Sequence, residues 1–538
     1  MKFQLSAKGL SGNVLILLVT LFVVAFCNLA FIARTLDIYP LDGSNAFPLA
    51  TLLLSLYAVT AMFLVLPCFG RATKPVLILF LLAASLIACF MDSYGIIANE
   101  EMLQNMLQTD VAEARDLITF RLLAFFIVLG VLPAILVART PVLWRGWRRE
   151  LLARAALTGG LVLIVAASVM SSADFYASLA REHKPLRSHA NPGYFIYSVI
   201  KQARFDAYAK EKPALAPIGQ DAHIPSTDKG RELFVLVIGE TARADRMSLN
   251  GYARDTTPQL RGAGAISLTN YWACGTSTAV SVPCMFSLVG MDGFNAGTTA
   301  SQENLLDLLQ RAGVNVIWLD NNSSSKGVAL RVSYQDFKSS DTNPVCDTEC
   351  RDEGMLPSLQ GYIDSHPKDD IFIVLHQMGN HGPAYYKRYP SSFERFLPVC
   401  RSNDLSQCSK EEIGNAYDNA LLYTDAFLGK TIELLKRNDS NFETALFYLS
   451  DHGESLGESG VYLHGLPRAI APDSQLHVPA VLWLGSGFGD VDLPALLKKR
   501  DIRFTHDNLF HTVLGFMEIE TAVYRPEMDI LEGTRMPE

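Results

Sequence analysis

Positive charge is in short supply in this chain. Its 46 Lys and Arg face 55 Asp and Glu, a formal net charge of −9. With no basic excess to form a face, nucleic acid is excluded as a partner, and any anion must be bound by local groups. A cleavable signal is also missing. The first apolar run is of full spanning length and has no small-residue cleavage site, so it is expected to remain as a span. Cysteine is sparse, with nine in 538 residues. Cys346 and Cys350 have no His or second Cys pair beside them, which argues against a metal knuckle. Cys27, Cys68 and Cys89 lie in apolar runs and read as small hydrophobes. The other six fall in close pairs, Cys274/Cys284, Cys346/Cys350 and Cys400/Cys408. Local pairing is the economical arrangement, so three disulfides and an extracytoplasmic domain are expected.

The shortage of positive charge is uneven. Residues 1–200 carry 15 basic and 11 acidic side chains and the remainder 31 and 44, so a weakly basic hydrophobic block precedes an acidic domain of net −13. Within the block five runs, roughly 13–33, 47–69, 75–91, 117–138 and 152–172, approach the ~20 residues needed to cross a bilayer. The third is the shortest. Lys2 and Lys8 precede the first run, and Arg71 and Lys74 separate the second from the third. Arg139, Arg145, Arg148, Arg149 and Arg154 mark the connection between the fourth and fifth. By the positive-inside rule these are the cytoplasmic sides, which puts the acidic 92–116 connection and everything after the fifth span outside. The expected organisation is a five-span α-helical membrane domain over 1–172 with an outer helix at about 95–116. A bridging helix near 191–210 and a linker fill 173–230, and an α/β domain covers 231–538.

In the outer connection, Asn105, Thr109 and Glu113 recur every four residues, one polar stripe along a helix. Met102, Leu103, Met106 and Leu107 supply apolar neighbours, as suits a helix at the membrane–water boundary. The stripe reads either as a solvated face or as a polar surface that meets a lipid headgroup.

From residue 232 short apolar runs alternate with helical stretches. Strands are predicted at 233–238, 314–319, 371–375, 445–449 and 480–484, and helices at 302–311, 411–436 and 506–517. Fully apolar strands separated by helices indicate a parallel sheet covered on both faces. Ligands of such sheets bind beyond the carboxyl ends of the strands. The residues that follow the predicted strands are Glu240 after the first, Asn322 and Lys326 after the second, His376 and His381 after the third, and Asp451 and His452 after the fourth, with His464 farther on. Each alone is an ordinary polar loop residue. Together they gather carboxylate and imidazole at one rim, a zinc-type set of N and O donors.

The stretch 273–290 completes the set. Cys274 and Cys284 bracket Thr276, Ser277, Thr278 and Ser281, and residues 278–289 read as a short apolar helix with hydroxyls at its start. Helix N-termini suit phosphate anions, and a hydroxyl fixed there is a candidate nucleophile for phosphorus. Composition does not choose among the four hydroxyls. Position does favour Thr278, which opens the helical run, whereas Ser281 lies nearly a turn too deep. A capped helix with a structural disulfide is the plain alternative. A divalent ion on Glu240, Asp451 and His452 could take Thr278 as its fourth ligand and lower the pKa of the hydroxyl. Lys326 could balance developing charge. His381 and His464 could hold a second ion or protonate a leaving alkoxide.

These residues lie in longer motifs: VIGETARADR at 237–246, NGYxRxTTP at 250–258, CGTSTAVSVPC at 274–284, HGP at 381–383, YLSDHGESLGE at 448–458 and YLHG at 462–465. Together they resemble the bacterial phosphoethanolamine transferases, and among them the lipid A phosphoethanolamine transferases that confer polymyxin resistance. The resemblance runs over nearly the whole chain and implies an alkaline-phosphatase/sulfatase-like α/β domain that depends on Zn2+. It makes Thr278 the nucleophile and Glu240, Thr278, Asp451 and His452 the ligands of the catalytic zinc. His381 and His464 match histidines that bind a second zinc or the substrate phosphate. Asn322, Lys326 and His376 match substrate contacts, as do Asn105, Thr109 and Glu113 on the outer helix. The implied enzyme is a monomer of the bacterial inner membrane with its catalytic domain in the periplasm. It takes phosphoethanolamine from phosphatidylethanolamine, holds it on Thr278, and passes it to a lipid A phosphate. The rival expectations are transfer to a lipopolysaccharide core sugar or a protein, transfer of glycerol phosphate with manganese, and a non-catalytic lipid-binding sensor.

Overall fold

The computed structural model describes residues 9–108, 111–144, 146–210, 215–228, 230–295, 301–489 and 491–536. The chain divides into two compact units, residues 1–103 with 118–202, and residues 104–117 with 203–538.

The first unit is helical. Ala46–Val65, Gly70–Tyr94, Phe120–Arg139 and Trp147–Ser171 are each long and apolar enough to cross a membrane. The third predicted run, short at its apolar core, becomes a helix of 25 residues. The fourth passes through a π-helical stretch at Phe126–Val131. There Gly130 packs so closely on the Gly70–Tyr94 helix that a Cβ would stand 2.5 Å from the Ser85 hydroxyl.

The first predicted span, 13–33, is not one straight helix. Gly12–Phe26 and Leu29–Ile38 meet at an angle of 55°, so among the described residues four helices, or five if the bent pair is one, are long and apolar enough to span. The cause is a polar lock at the break. Asn28 donates to the Val23 and Asn191 carbonyls at 3.0 and 2.8 Å, and its own oxygen accepts the Asn191 N–H at 2.8 Å. Asn191 returns two bonds, to the carbonyls of Cys27 (2.7 Å) and Ala84 (2.9 Å). Both amides are buried. Asn191 gives the Cys27 carbonyl, which the break leaves open, a partner that hydrocarbon surroundings would not supply.

The second unit is built on an eight-stranded sheet: β1 Glu232–Gly239, β2 Ile266–Trp272, β3 Asn315–Asp320, β4 Ser333–Asp336, β5 Ile371–His376, β6 Glu443–Ser450, β7 His477–Leu484 and β8 Phe504–Thr505, in the order β8-β2-β7-β6-β1-β5-β3-β4. The central strands alternate between two cores. Phe234, Leu236, Ile238, Phe372, Val374, Phe447 and Leu449 face one, and Leu233, Val235, Val237, Ile373, Leu446 and Tyr448 the other. Helices Leu305–Ala312 and Asp507–Phe516 cover the first face and the long helix Lys410–Asn438 the second. That is why the strands read as continuous apolar runs.

The sheet is not all parallel. β7 runs antiparallel to both β6 and β2. The connection from β6 to β7 holds a two-residue strand pair, Ser455–Leu456 with Tyr462–Leu463, and the turn Asp473–Leu476, but no crossover helix, so the chain returns beside β6 in the opposite sense. β1 lies between β5 and β6 and is parallel to both, with Ile238 opposite His376 and Gly239 opposite Ser450. The carboxyl ends of β1, β5 and β6 thus open at one edge.

The lock at the first span generates a test. Asn191→Ala strands the Cys27 carbonyl at the break, at about 1–3 kcal/mol for a buried group left unpaired, and removes the second bond to the Ala84 carbonyl of the Gly70–Tyr94 helix. The thermal midpoint of the detergent-solubilised protein is expected to fall clearly, and an unchanged midpoint would show that the lock carries no stability.

Candidate active site

Two strand ends and one short helix make the centre. β1 delivers Glu240, followed by Thr241 at a φ of +54°, and β6 delivers Asp451 and His452 from the adjacent strand. The close approach of β1 and β6 requires Gly239, where a Cβ would stand 2.5 Å from the Tyr448 hydroxyl. Thr278 opens the helix Thr278–Met285. This helix is shorter than the predicted 278–289 and contains Pro283, whose missing N–H and bulky ring suit an early stop.

The disulfide Cys274–Cys284 closes around this helix, and Cys346–Cys350 and Cys400–Cys408 are also formed. The hydroxyls beside Thr278 have separate work. Ser281 accepts the Gly275 N–H at 3.0 Å, and Thr276 donates to the Leu466 carbonyl at 2.6 Å. Ser277 is buried and makes no side-chain hydrogen bond among the described residues.

Thr278 Oγ1 donates to Glu240 Oε2 at 3.0 Å and lies 3.4 Å from His452 Nε2. His452 Nε2 is in turn 3.3 Å from both Glu240 Oε1 and Asp451 Oδ2. The His452 Nδ1–H is committed to the Gly453 carbonyl at 2.9 Å, which leaves Nε2 as a lone pair in the neutral ring. Burial, then the neighbouring His464, holds His452 well below the usual imidazole range. Burial pushes Asp451 up to about 6, against the nearby His376 and the N–H groups of His452 and Thr241.

Two carboxylates and an imidazole lone pair, all fully buried, therefore converge with their ligand atoms within 4.8 Å of one another. Asp451 Oδ2 receives no hydrogen bond among the described residues. Like-charged acceptors packed this closely in a dry site repel, and a cation is what reconciles them. The donor set of carboxylate, imidazole and hydroxyl oxygen fits a divalent ion of borderline softness.

Other predicted residues gather around this core. Asn322 donates to Glu240 Oε2 (2.8 Å) and the Gln377 carbonyl (2.7 Å). His381 and His464 stack edge to face at 5.4 Å, and His464 lies 4.4 Å from the ring of His452. Burial and the charges of His464 and Arg388 hold His381 well below its ordinary pKa. His376 is farther inside, its Nδ1 on Asp320 at 3.0 Å and its Nε2 without a hydrogen bond among the described residues. Lys326 reaches Ser323 Oγ at 2.6 Å and the Gln108 carbonyl at 3.3 Å. Of the stripe, Asn105 is half-buried, while Thr109 and the Glu113 side chain lie outside the described residues.

Four supporting side chains were not singled out from the sequence. Glu454, fully buried, accepts His464 Nδ1–H at 2.8 Å and the Tyr385 hydroxyl at 2.6 Å, and so fixes the ring of His464. Asp320 does the same for His376 while accepting Trp318 Nε1–H at 2.8 Å. His506, which burial pushes down to about 3, accepts the Cys274 N–H at 3.0 Å and donates to the Ser450 carbonyl at 3.1 Å, tying the Cys274–Cys284 loop to the end of β6. Glu454 and Asp320 each follow a predicted strand closely, which was the available signal. Tyr385 and His506 carried none.

Comparison with known proteins agrees with this arrangement. Residues 232–519 match the sulfatase family, and residues 56–206 match the phosphoethanolamine transferase EptA/EptB family. Phosphatidylethanolamine transferase Mcr-2 of Escherichia coli is 44% identical over 522 residues, which cover 94% of this chain and 95% of that protein. Phosphoethanolamine transferase EptA of Escherichia coli strain K12 is 38% identical over 534 residues, 96% of each. Among solved structures, the integral membrane protein lipooligosaccharide phosphoethanolamine transferase A from Neisseria meningitidis superimposes with a TM-score of 0.94 at 35% identity, covering 98% of this chain and 100% of that one.

The cation argument predicts the behaviour of Asp451→Asn. Loss of a direct ligand should weaken metal affinity by more than the ~10–100-fold that loss of a ligand's supporting partner costs. Elemental analysis after dialysis should find the purified variant largely metal-free with its circular dichroism retained. Full metal content in the variant would remove Asp451 from the ligand set.

Proposed function

The chain belongs to the phosphoethanolamine transferases, and on that premise we propose that it moves phosphoethanolamine from phosphatidylethanolamine to a phosphate of lipid A through a covalent adduct on Thr278. The enzyme sits in the inner membrane with its catalytic unit in the periplasm. Counting the bent helix pair as one span gives five, the odd number that carries the C-terminal unit to the side opposite the N-terminus. A single observation carries the reading: Thr278 Oγ1 lies within 3.4 Å of both a buried carboxylate and a buried imidazole that belong to the same cation-demanding cluster.

In the first half-reaction the Thr278 oxygen attacks the phosphorus of the donor lipid, the bond from phosphorus to the glyceride oxygen breaks, and diacylglycerol leaves with a proton. In the second, an oxygen of the acceptor phosphate attacks the same phosphorus and Thr278 recovers its hydroxyl. Splitting the transfer in this way gives ping-pong kinetics. Glu240, Asp451, His452 and Thr278 would hold a divalent ion, in this reading zinc, which when bound polarises a phosphoryl oxygen and lowers the pKa of the threonine hydroxyl.

The remaining roles belong to the chain's own groups. Glu240 Oε2 orients the Thr278 hydroxyl, and Asn322 holds that carboxylate in place from the other side. His464 has Nδ1 fixed by Glu454, which leaves Nε2 to exchange a proton with the departing glyceride oxygen. His381, kept neutral by burial, is suited to bind a phosphate oxygen through an N–H or to hold a second ion. Lys326 supplies a positive charge near the loop that follows β3, and Asn105, Thr109 and Glu113 are proposed to meet the ethanolamine headgroup. The product places a primary amine over a lipid phosphate, which lowers surface negative charge and weakens the binding of polymyxin and other cationic peptides.

Mass spectrometry tests the adduct. A trapped reaction with phosphatidylethanolamine should add one phosphoethanolamine to the peptide that contains Cys274 and Cys284. Thr278→Ala should lose adduct and transfer, and Thr278→Ser should keep part of both. An adduct that survives in Thr278→Ala would move the nucleophile to a neighbouring hydroxyl, and transfer without any adduct would mean direct attack by the acceptor. Lipid A recovered from cells with and without the protein should differ by the same added group, and modification of core sugar or of a protein instead would change the acceptor.

A further inference from the structure

Asp116 is the last residue of the helix Val111–Asp116. A carboxylate at a helix C-terminus opposes the helix dipole, so its place there is not explained by the helix itself. Its partners lie on the catalytic unit, to which residues 104–117 belong. Asp116 Oδ1 accepts from Lys387 Nζ at 2.5 Å and from Asn403 Nδ2 at 3.3 Å, and Oδ2 accepts from Arg388 Nη2 at 3.1 Å. The Asp116 side chain is 12% exposed and that of Arg388 is 3% exposed, so this is not a solvent-screened pair.

Arg388 does more than meet Asp116. Its Nε donates to the His381 carbonyl at 2.7 Å, and its Nη1 is paired with Glu349. The turn that supplies Lys387 and Arg388 also supplies Tyr385, which holds Glu454 and through it His464. Residues 381–388 thus touch both active-site histidines at one end and Asp116 at the other. Along the rest of the outer segment, Gln104 Nε2 reaches the carbonyl of Ala279, next to the nucleophile, at 3.4 Å, and Lys326 Nζ reaches the Gln108 carbonyl at 3.3 Å. Those two bonds are long and single. Among the described residues of the segment, Asp116 is the point where charge, burial and three donors coincide.

We infer that Asp116 is a positioning residue, which fastens the outer segment 104–117 to the rest of the catalytic unit through Lys387, Arg388 and Asn403 and so holds it against the turn whose Arg388 binds the His381 carbonyl. The purpose assigned to this fastening, alignment of the donor headgroup, rests on the proposed transferase reading, whereas the fastening itself does not.

The experiment has two arms on the full-length protein in detergent. In the first, amide hydrogen exchange compares wild type with Asp116→Asn, which keeps the size of the side chain and removes its charge. Exchange in peptides covering 104–108 and 114–117 should rise at least about tenfold, while the strands β1 and β6 stay protected as in wild type. In the second, transfer kinetics with phosphatidylethanolamine in mixed micelles should show KM raised about tenfold by Asp116→Asn, a larger effect than the fall in kcat, with most of it recovered in Asp116→Glu. Unaltered exchange in the outer segment overturns the fastening, whatever the activity. Faster exchange with unchanged KM overturns the role in donor binding. Exchange that rises throughout the unit marks a general folding role and overturns the inference as well. A wild-type protein that releases no diacylglycerol removes the transferase reading, and the exchange arm still decides the fastening.

Discussion

Everything in the catalytic unit depends on holding like-charged acceptors against one another. Glu240, Asp451 and the bare nitrogen of His452 are forced together in a site that water does not reach, and the repulsion among them must be carried by the scaffold. Adjacent parallel strands are well suited to this load. β1 and β6 are in register over eight residue pairs and buried on both faces, so neither end can shift without dragging a whole apolar strand. Gly239 lets the two strand ends approach over the Tyr448 ring, and Thr241 turns the chain away at once in a conformation that few non-glycine residues adopt. The positive φ at Thr241 belongs to the same constraint, since its N–H contacts Asp451 Oδ1 at 3.3 Å.

The supports of the centre come from widely separated parts of the chain and share one design. Three of the histidines at the site have Nδ1 bonded to a fixed acceptor: His452 to Gly453, His464 to Glu454 and His376 to Asp320. A ring anchored at one nitrogen can present only the other, so the supports set tautomer as well as position. His506 applies the same device to the backbone, accepting an N–H from the Cys274–Cys284 loop with one nitrogen and donating to the end of β6 with the other.

Much of this was legible in the sequence, for a physical reason. Strands buried on both faces leave continuous apolar runs, and the polar residues directly after them mark the rim where Glu240, Asp451 and His452 meet. What escaped was whatever lacked that signature. β2 reads ISLTNYW, a mixture of apolar and polar residues suited to a strand near the edge, and β4 reads SYQD and is exposed throughout. The antiparallel sense of β7 could not be read, because an apolar run is the same in either direction. Asn28 stood in the first span as one polar residue among apolar ones. Its partner Asn191 is 163 positions away, and only their meeting breaks the helix. Tyr385 and His506 were invisible for the same cause, since their importance lies wholly in contacts between segments distant in the chain.

The disulfide around Thr278 has a consequence for where the enzyme can be active. The helix that Thr278 opens has eight residues with a proline among them, too short to hold its own geometry, and the Cys274–Cys284 bridge replaces the stabilisation that length would give. The Cys274–Cys284 bond forms in an oxidising compartment, so the loop that presents Thr278 takes its final shape on the periplasmic side of the membrane. The bond that shapes the site thereby ties it to the compartment in which the catalytic unit lies.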